Sequence, residues 1–116
     1  MPADALDREG ARLIAARRGG VVLGIGALKV IGPGQGEIKS MHTAEEARGQ
    51  GIARAILREL MGMARADGLN QLSLETGGTA VFAAARALYA AEGFVDCPPF
   101  GDYVYDPFSV FMSRPL

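Results

Sequence analysis

Between residues 43 and 57 the chain reads TAEEARGQGIARAIL, and two glycines, Gly49 and Gly51, stand where an acidic, alanine-rich segment turns into an apolar, helix-forming run. Glycine inside a helix costs about 1 kcal/mol relative to alanine, so bare backbone here needs a reason. The first N–H groups of a helix lack intrahelical acceptors and carry partial positive charge. Glycines beside them let an anion approach the backbone. The segment is therefore a candidate phosphate or pyrophosphate cradle, and the same glycines also suit a simple tight turn. Other phosphate motifs fit poorly: no G-x-x-x-x-G-K-[ST] is present. GIGALK (24–29) opens like a dinucleotide fingerprint, but it lacks the third glycine and lies within a strand pattern. Its glycines read as packing relief or a bulge. His42, the one histidine, belongs to the residue type that titrates nearest neutrality, yet a lone histidine on a strand more often has a structural role. Cys97, the one cysteine, reads as packing, because nothing near it in sequence would activate a thiol. No Cys/His cluster has metal-ligand spacing, so no metal is expected.

The elements that must position these residues follow from periodicity. RLIAA (12–16) and VVLGIGALKVI (21–31) flank an Arg-Arg-Gly-Gly turn and read as a hairpin. GPGQG (32–36) is punctuation, and EIKSMHT (37–43) alternates as a third strand of a meander. From Gly51 the period changes: Ile52, Ile56, Leu60 and Met63 recur at helical spacing, Arg54, Arg58 and Arg65 fall elsewhere on the wheel, and Gly68 is a stop signal. QLSLET (71–76) is a strand. TAVFAAARALYAAEG (79–93) is helical, with Val81, Ala85, Leu88 and Phe82, Arg86, Tyr89 at helical spacings. FVDC (94–97) and FSVFMS (108–113) are strands around a turn-rich loop, PPFGDYVYDP (98–107). The order is β-β-β-α-β-α-β-β. A helix between two strands implies a crossover and a partly parallel sheet.

At 116 residues the chain suits one domain, 1–116. It is 49% hydrophobic and 22% charged, with a formal net charge of −1, which gives no global pull toward nucleic acid or an anionic membrane. No apolar run reaches a membrane span. The start, MPADALDREG, lacks the basic and apolar regions of a signal peptide. With a single cysteine that cannot close an internal disulfide, the expected compartment is the cytoplasm.

In this order and spacing the segments resemble the GNAT superfamily of acyl-CoA-dependent N-acetyltransferases. Arg48-Gly49-Gln50-Gly51-Ile52-Ala53 matches the family's Arg/Gln-x-x-Gly-x-Gly/Ala motif. GEIKSMHTAEEARGQG resembles the strand leading into that loop, ARALYAAEGFVDCPPF (85–100) the helix carrying the family's LY and the strand after it, and SVFMSRPL (109–116) the closing strand. The resemblance runs from about residue 21 to residue 116. It implies an α/β (α+β) fold with a mixed, mostly antiparallel central sheet and two helices.

The resemblance further implies acetyl-CoA as co-substrate and an amine as acceptor. Backbone groups of Arg48, Gly49, Gln50, Gly51, Ile52 and Ala53 would cradle the pyrophosphate, with Arg54 as a side-chain contact. Met41, His42 and Thr43 would meet the pantetheine arm through their backbone, in the manner of an added strand. Tyr89 matches the tyrosine placed to protonate the departing CoA thiolate. Glu37 matches the acidic position that serves as base in some members, with Glu75 as its rival. Asp102, Tyr103 and Tyr105 fall in the loop near the acceptor. The family's opening strand and helices have no counterpart in the roughly ten residues before the hairpin. A homodimer that covers the exposed side of the sheet, or uses the C-terminal strand, is one expectation from that gap. A noncatalytic acyl-CoA-binding or sensor domain is the alternative to an enzyme.

Overall fold

A computed structural model describes residues 5, 6 and 10–116. Seven strands form one sheet in the order β1-β2-β3-β4-β5-β7-β6. They are β1 (Ala5–Leu6), β2 (Arg12–Arg18), β3 (Val21–Gly32), β4 (Gln35–Thr43), β5 (Gln71–Gly77), β6 (Val95–Cys97) and β7 (Ser109–Pro115), with helices α1 (Ile52–Ala66) and α2 (Ala83–Ala91). The expected order holds, with the two-residue β1 added ahead of it, antiparallel to β2. β2, β3 and β4 form the antiparallel meander. β4 and β5, joined by the α1 crossover, are the parallel pair. β7 inserts between β5 and β6, antiparallel to both.

The helices and the strands beneath them share one core of Ile14, Leu28, Ile38, Ile56, Leu57, Leu60, Met61, Ala64, Leu72, Leu74, Tyr89, Phe94 and Met112. α1 buries Ile56, Leu57, Leu60, Met61 and Ala64, while Arg54, Arg58 and Arg65 face water. Ile52 and Met63 lie at the margin of this stripe and are half-buried. Gly24 and Gly26 make room for the helix. A Cβ on Gly26 would lie 2.7 Å from Ile56 Cγ2 and 2.8 Å from Met41 Sδ. GIGALK thus seats α1 against β3, as packing relief.

The second helix is shorter than its periodicity implies. Residues 80–82 form a separate 3-10 turn, and Val81 is 86% exposed. The Arg86 guanidinium donates to the carbonyls of Gly77 (2.7 Å) and Thr79 (2.8 Å). These bonds bend the chain back onto the end of β5 before the α-helix begins. β4 starts two residues early, at Gln35, because Pro33-Gly34 alone makes the turn.

Candidate active site

β4 and β5 pair from Gln35↔Gln71 to Ile38↔Leu74, and there the ladder ends. The remainder of β4 continues only against β3. Its register shifts by one residue between Ala27↔Lys39 and Ile25↔His42. The extra residue sits at Ser40, the one non-glycine with positive φ (59°) among the described residues. A bulge of this kind bends its strand and ends pairing. β4 therefore leaves β5, and the backbone of residues 40–43 presents an edge that pairs with no strand on its β5 side. Met41, His42 and Thr43, the residues expected to meet the pantetheine arm, lie along that edge.

The edge runs into the glycine loop. Gly49 and Gly51 both have φ 78°, in the left-handed region, and a Cβ on either would meet nothing within 4 Å. The first backbone N–H at this helix start to find an acceptor is that of Ala55, bonded to Gly51 O at 3.0 Å. Those of residues 49–54 donate to no acceptor among the described residues. They form an open, positively polarised rim at the head of α1, with the shape and charge of an anion cradle. Two side chains behave in ways the sequence does not reveal. Arg18, at the end of β2, reaches the loop and donates to Gln50 Oε1 at 3.3 Å. Arg54, on the first turn of α1, has its Nε 3.2 Å from Glu92 Oε2.

Tyr89 stands on α2, 6% exposed, edge-on to Phe94 with centroids 6.1 Å apart. Its hydroxyl has no hydrogen-bond partner among the described residues, yet no buried side-chain oxygen or nitrogen there lacks one. The hydroxyl is thus the part of this ring that solvent or a ligand reaches. Burial pushes the phenol above its ordinary value of 10.0, so it keeps its proton at neutral pH.

Glu37 occupies β4 where the pairing is intact, with Lys29 across on β3 and Ser73 across on β5. It is 6% exposed and alternates with Ile38, so it faces away from the helices. The Tyr103 hydroxyl donates to Glu37 Oε2 at 2.6 Å. A cleft of about 510 Å³ opens beside this pair, bounded also by Lys29, Lys39 and Asp102. The rival, Glu75, is exposed and accepts from Ser109 Oγ at 2.6 Å; it lies outside the cleft lining. Asp102 and Tyr103 belong to the cleft, whereas Tyr105 is 78% exposed and does not line it. His42 is exposed, and Cys97 is a half-buried free thiol. No group of three or more metal-ligating side chains occurs among the described residues.

An unzipped parallel strand pair, a glycine-bent helix start at its mouth and a buried carboxylate in a neighbouring cleft define an α/β domain shaped for an extended, anion-bearing ligand. The family model described as Acetyltransferase (GNAT) family matches residues 2–94. The Escherichia coli K12 protein named Uncharacterized N-acetyltransferase YedL is 48% identical over 93 residues, which are 80% of this chain and 58% of that protein. An IAA acetyltransferase of Azospirillum brasilense is 47% identical over 107 residues, covering 90% of this chain and 68% of that protein. Among solved structures, a candidate acyl-CoA N-acyltransferase from Klebsiella pneumoniae superposes with a TM-score of 0.85 at 36% identity, covering 91% of this chain and 72% of that one. A Bacillus subtilis acetyltransferase solved in complex with CoA shares the fold, with a TM-score of 0.77 at 17% identity, covering 91% and 77%. The chain belongs to the GNAT acetyltransferase family. It spans a little over half the length of the YedL protein.

Proposed function

We propose that this chain transfers acetyl from acetyl-CoA to a primary amine by direct attack. The observation that carries the reading is the continuous surface from the unpaired β4 edge to the open N–H rim at Gly49–Gly51. An amide-bearing arm can add to the edge as a strand does, and a diphosphate fits the rim. In this reading Glu37 takes a proton from the acceptor nitrogen. The nitrogen bonds to the thioester carbonyl carbon, and the tetrahedral intermediate collapses with cleavage of the C–S bond. The Tyr89 phenol supplies the proton that converts the departing thiolate to a thiol, and solvent returns the proton from Glu37 to the phenolate. The products are an N-acetyl amide and free CoA.

Two measurements test this function. Titration calorimetry should show acetyl-CoA binding. Consumption of the thioester should depend on added amine across a panel of small amines and peptides. The name of the Azospirillum relative makes IAA a further acceptor to test beside the amines. Binding without transfer to any acceptor would leave a noncatalytic acyl-CoA-binding domain, and absence of binding would sink both readings.

A further inference from the structure

The Glu37 carboxylate is buried to 6% exposure on a strand, and a buried carboxylate needs hydrogen-bond donors. One donor comes from 66 residues away in sequence: the Tyr103 hydroxyl, at 2.6 Å, within the short range of O–H···O⁻ bonds. The tyrosine does not hang freely from its loop. Its ring meets Phe100 edge-on at 5.2 Å and lies 5.5 Å from Phe111, and those two rings meet at 5.8 Å and 89°. Phe111 is a buried residue of β7, so the trio fastens the 98–108 loop to the sheet and fixes the direction of the phenol.

The other polar neighbours of Glu37 are Lys29 and Lys39 on the meander, Ser73 on β5, and Asp102 beside Tyr103 on the loop. Of the side chains around Glu37, Asp102 and Tyr103 come from the loop, and Asp102 cannot donate to a carboxylate while ionised. We propose that Tyr103 is a positioning residue for the base: held by the Phe100–Phe111 clamp, its phenol engages Glu37 Oε2 and turns the carboxylate so that Oε1 meets the acceptor amine. This rests on the reading of Glu37 as base. Tyr103 keeps its proton throughout; the proton that moves goes from the amine nitrogen to Glu37.

The test is a double-mutant cycle on turnover. Tyr103→Phe keeps the ring in its trio and removes only the donor. Loss of orientation at a reacting group costs up to about 10²-fold. We expect kcat to fall about tenfold, with KM for acetyl-CoA within about twofold of wild type. In a Glu37→Gln background the same substitution should change kcat by less than about twofold, because no base remains to be oriented. Phe100→Leu loosens the clamp but spares the hydroxyl, and should give a smaller loss of kcat in the same direction. A fully active Tyr103→Phe enzyme overturns the proposal. So does a loss of equal size in both backgrounds, which would be the mark of a merely structural tyrosine. A wild-type chain that binds acetyl-CoA but acetylates no amine overturns this proposal together with the assignment of Glu37, whereas an active wild type beside an equally active Tyr103→Phe variant overturns this proposal alone.

Discussion

Tyr89 combines two properties that a proton donor to a thiolate requires: a ring held in the core and a hydroxyl left accessible. Burial raises its pKa above 10.0, so ionisation of the donor should depress turnover only above pH 10, and Tyr89→Phe should erase that limb. The same variant should lower kcat by about 10²–10⁴-fold, the usual contribution of general acid catalysis, with little change in acetyl-CoA affinity. Steady-state kinetics beside calorimetry reads both, and a well-folded variant with unaltered turnover would transfer the role to water. Gly51 allows an independent test of the cradle. Gly51→Glu sets a negative side chain on the rim and should weaken acetyl-CoA binding by tenfold or more, about 1.4 kcal/mol or above. Gly51→Ala controls for backbone strain at φ 78°, which costs about 1–2 kcal/mol of stability. If the Glu variant binds like the Ala variant, the pyrophosphate lies elsewhere.

At the scale of elements, the wedge depends on Ser40. The bulge there ends the β4–β5 ladder at Ile38↔Leu74. Ser40→Gly should preserve the bulge and match or exceed wild-type thermal stability, because glycine adopts positive φ without penalty. Ser40→Val should cost about 1–2 kcal/mol and weaken acetyl-CoA binding, since relief of the strain lets the strand straighten. A Ser40→Val protein as stable as wild type would show that the bulge is set by its neighbours. The two helices are joined by Glu92, whose carboxylate takes Arg58 Nε at 2.9 Å and Nη2 at 3.1 Å, with Arg54 also beside it. The Arg58 hydrogen bond is the main cause that holds Glu92 below the ordinary 4.5. A carboxylate with a depressed folded pKa stabilises the fold above its unfolded value, and that contribution is lost as pH falls through the folded one. The melting difference between wild type and Glu92→Gln should therefore be present at pH 7 and disappear as pH drops below about 4.5. A difference independent of pH would assign the effect to packing. Much of this level is written locally in the sequence. Arg-Arg-Gly-Gly announces the hairpin, the switch from period two to 3.6 at Gly51 announces α1, and the spacing of the two helices announces the crossovers. The bulge is not, because serine carries no preference for positive φ; nor is the start of α2, which the Gly77 and Thr79 carbonyls set through the Arg86 side chain rather than through helical periodicity.

For the whole molecule, what stayed hidden from sequence is what long loops bring together. Glu37 could be singled out by its place in a motif and Tyr103 by its place in the acceptor loop, but the contact between them could not, because it forms only once β7 has inserted beside β5 and carried Phe111 under the loop. The insertion also bears on assembly. β7 is flanked by β5 along its length and by the three-residue β6 only at Phe111, Met112 and Ser113; among the described residues the sheet's outer strands are β1 and β6. Large apolar side chains are nonetheless exposed close to the end of the wedge: Val104 at 77%, Tyr105 at 78% and Phe108 at 72% on the loop, and Val81 at 86% on the facing turn, which Gly78 N–H links to Phe108 O at 2.9 Å. We propose that this surface joins two copies of the chain. Stable dimers commonly bury more than about 1,200 Å² in all, which requires the loop and the turn together rather than either alone. Phe108→Asp places a charge at the middle of that surface and should convert a dimer to monomers in sedimentation equilibrium at micromolar concentration, while Val21→Asp, on the hairpin far along the sheet, should not. Phe108 belongs neither to the β4 edge nor to the Gly49–Gly51 rim, so acetyl-CoA binding by the monomeric variant should persist. A wild-type chain that sediments as a monomer at these concentrations would remove the dimer and leave the exposed side chains to some other covering.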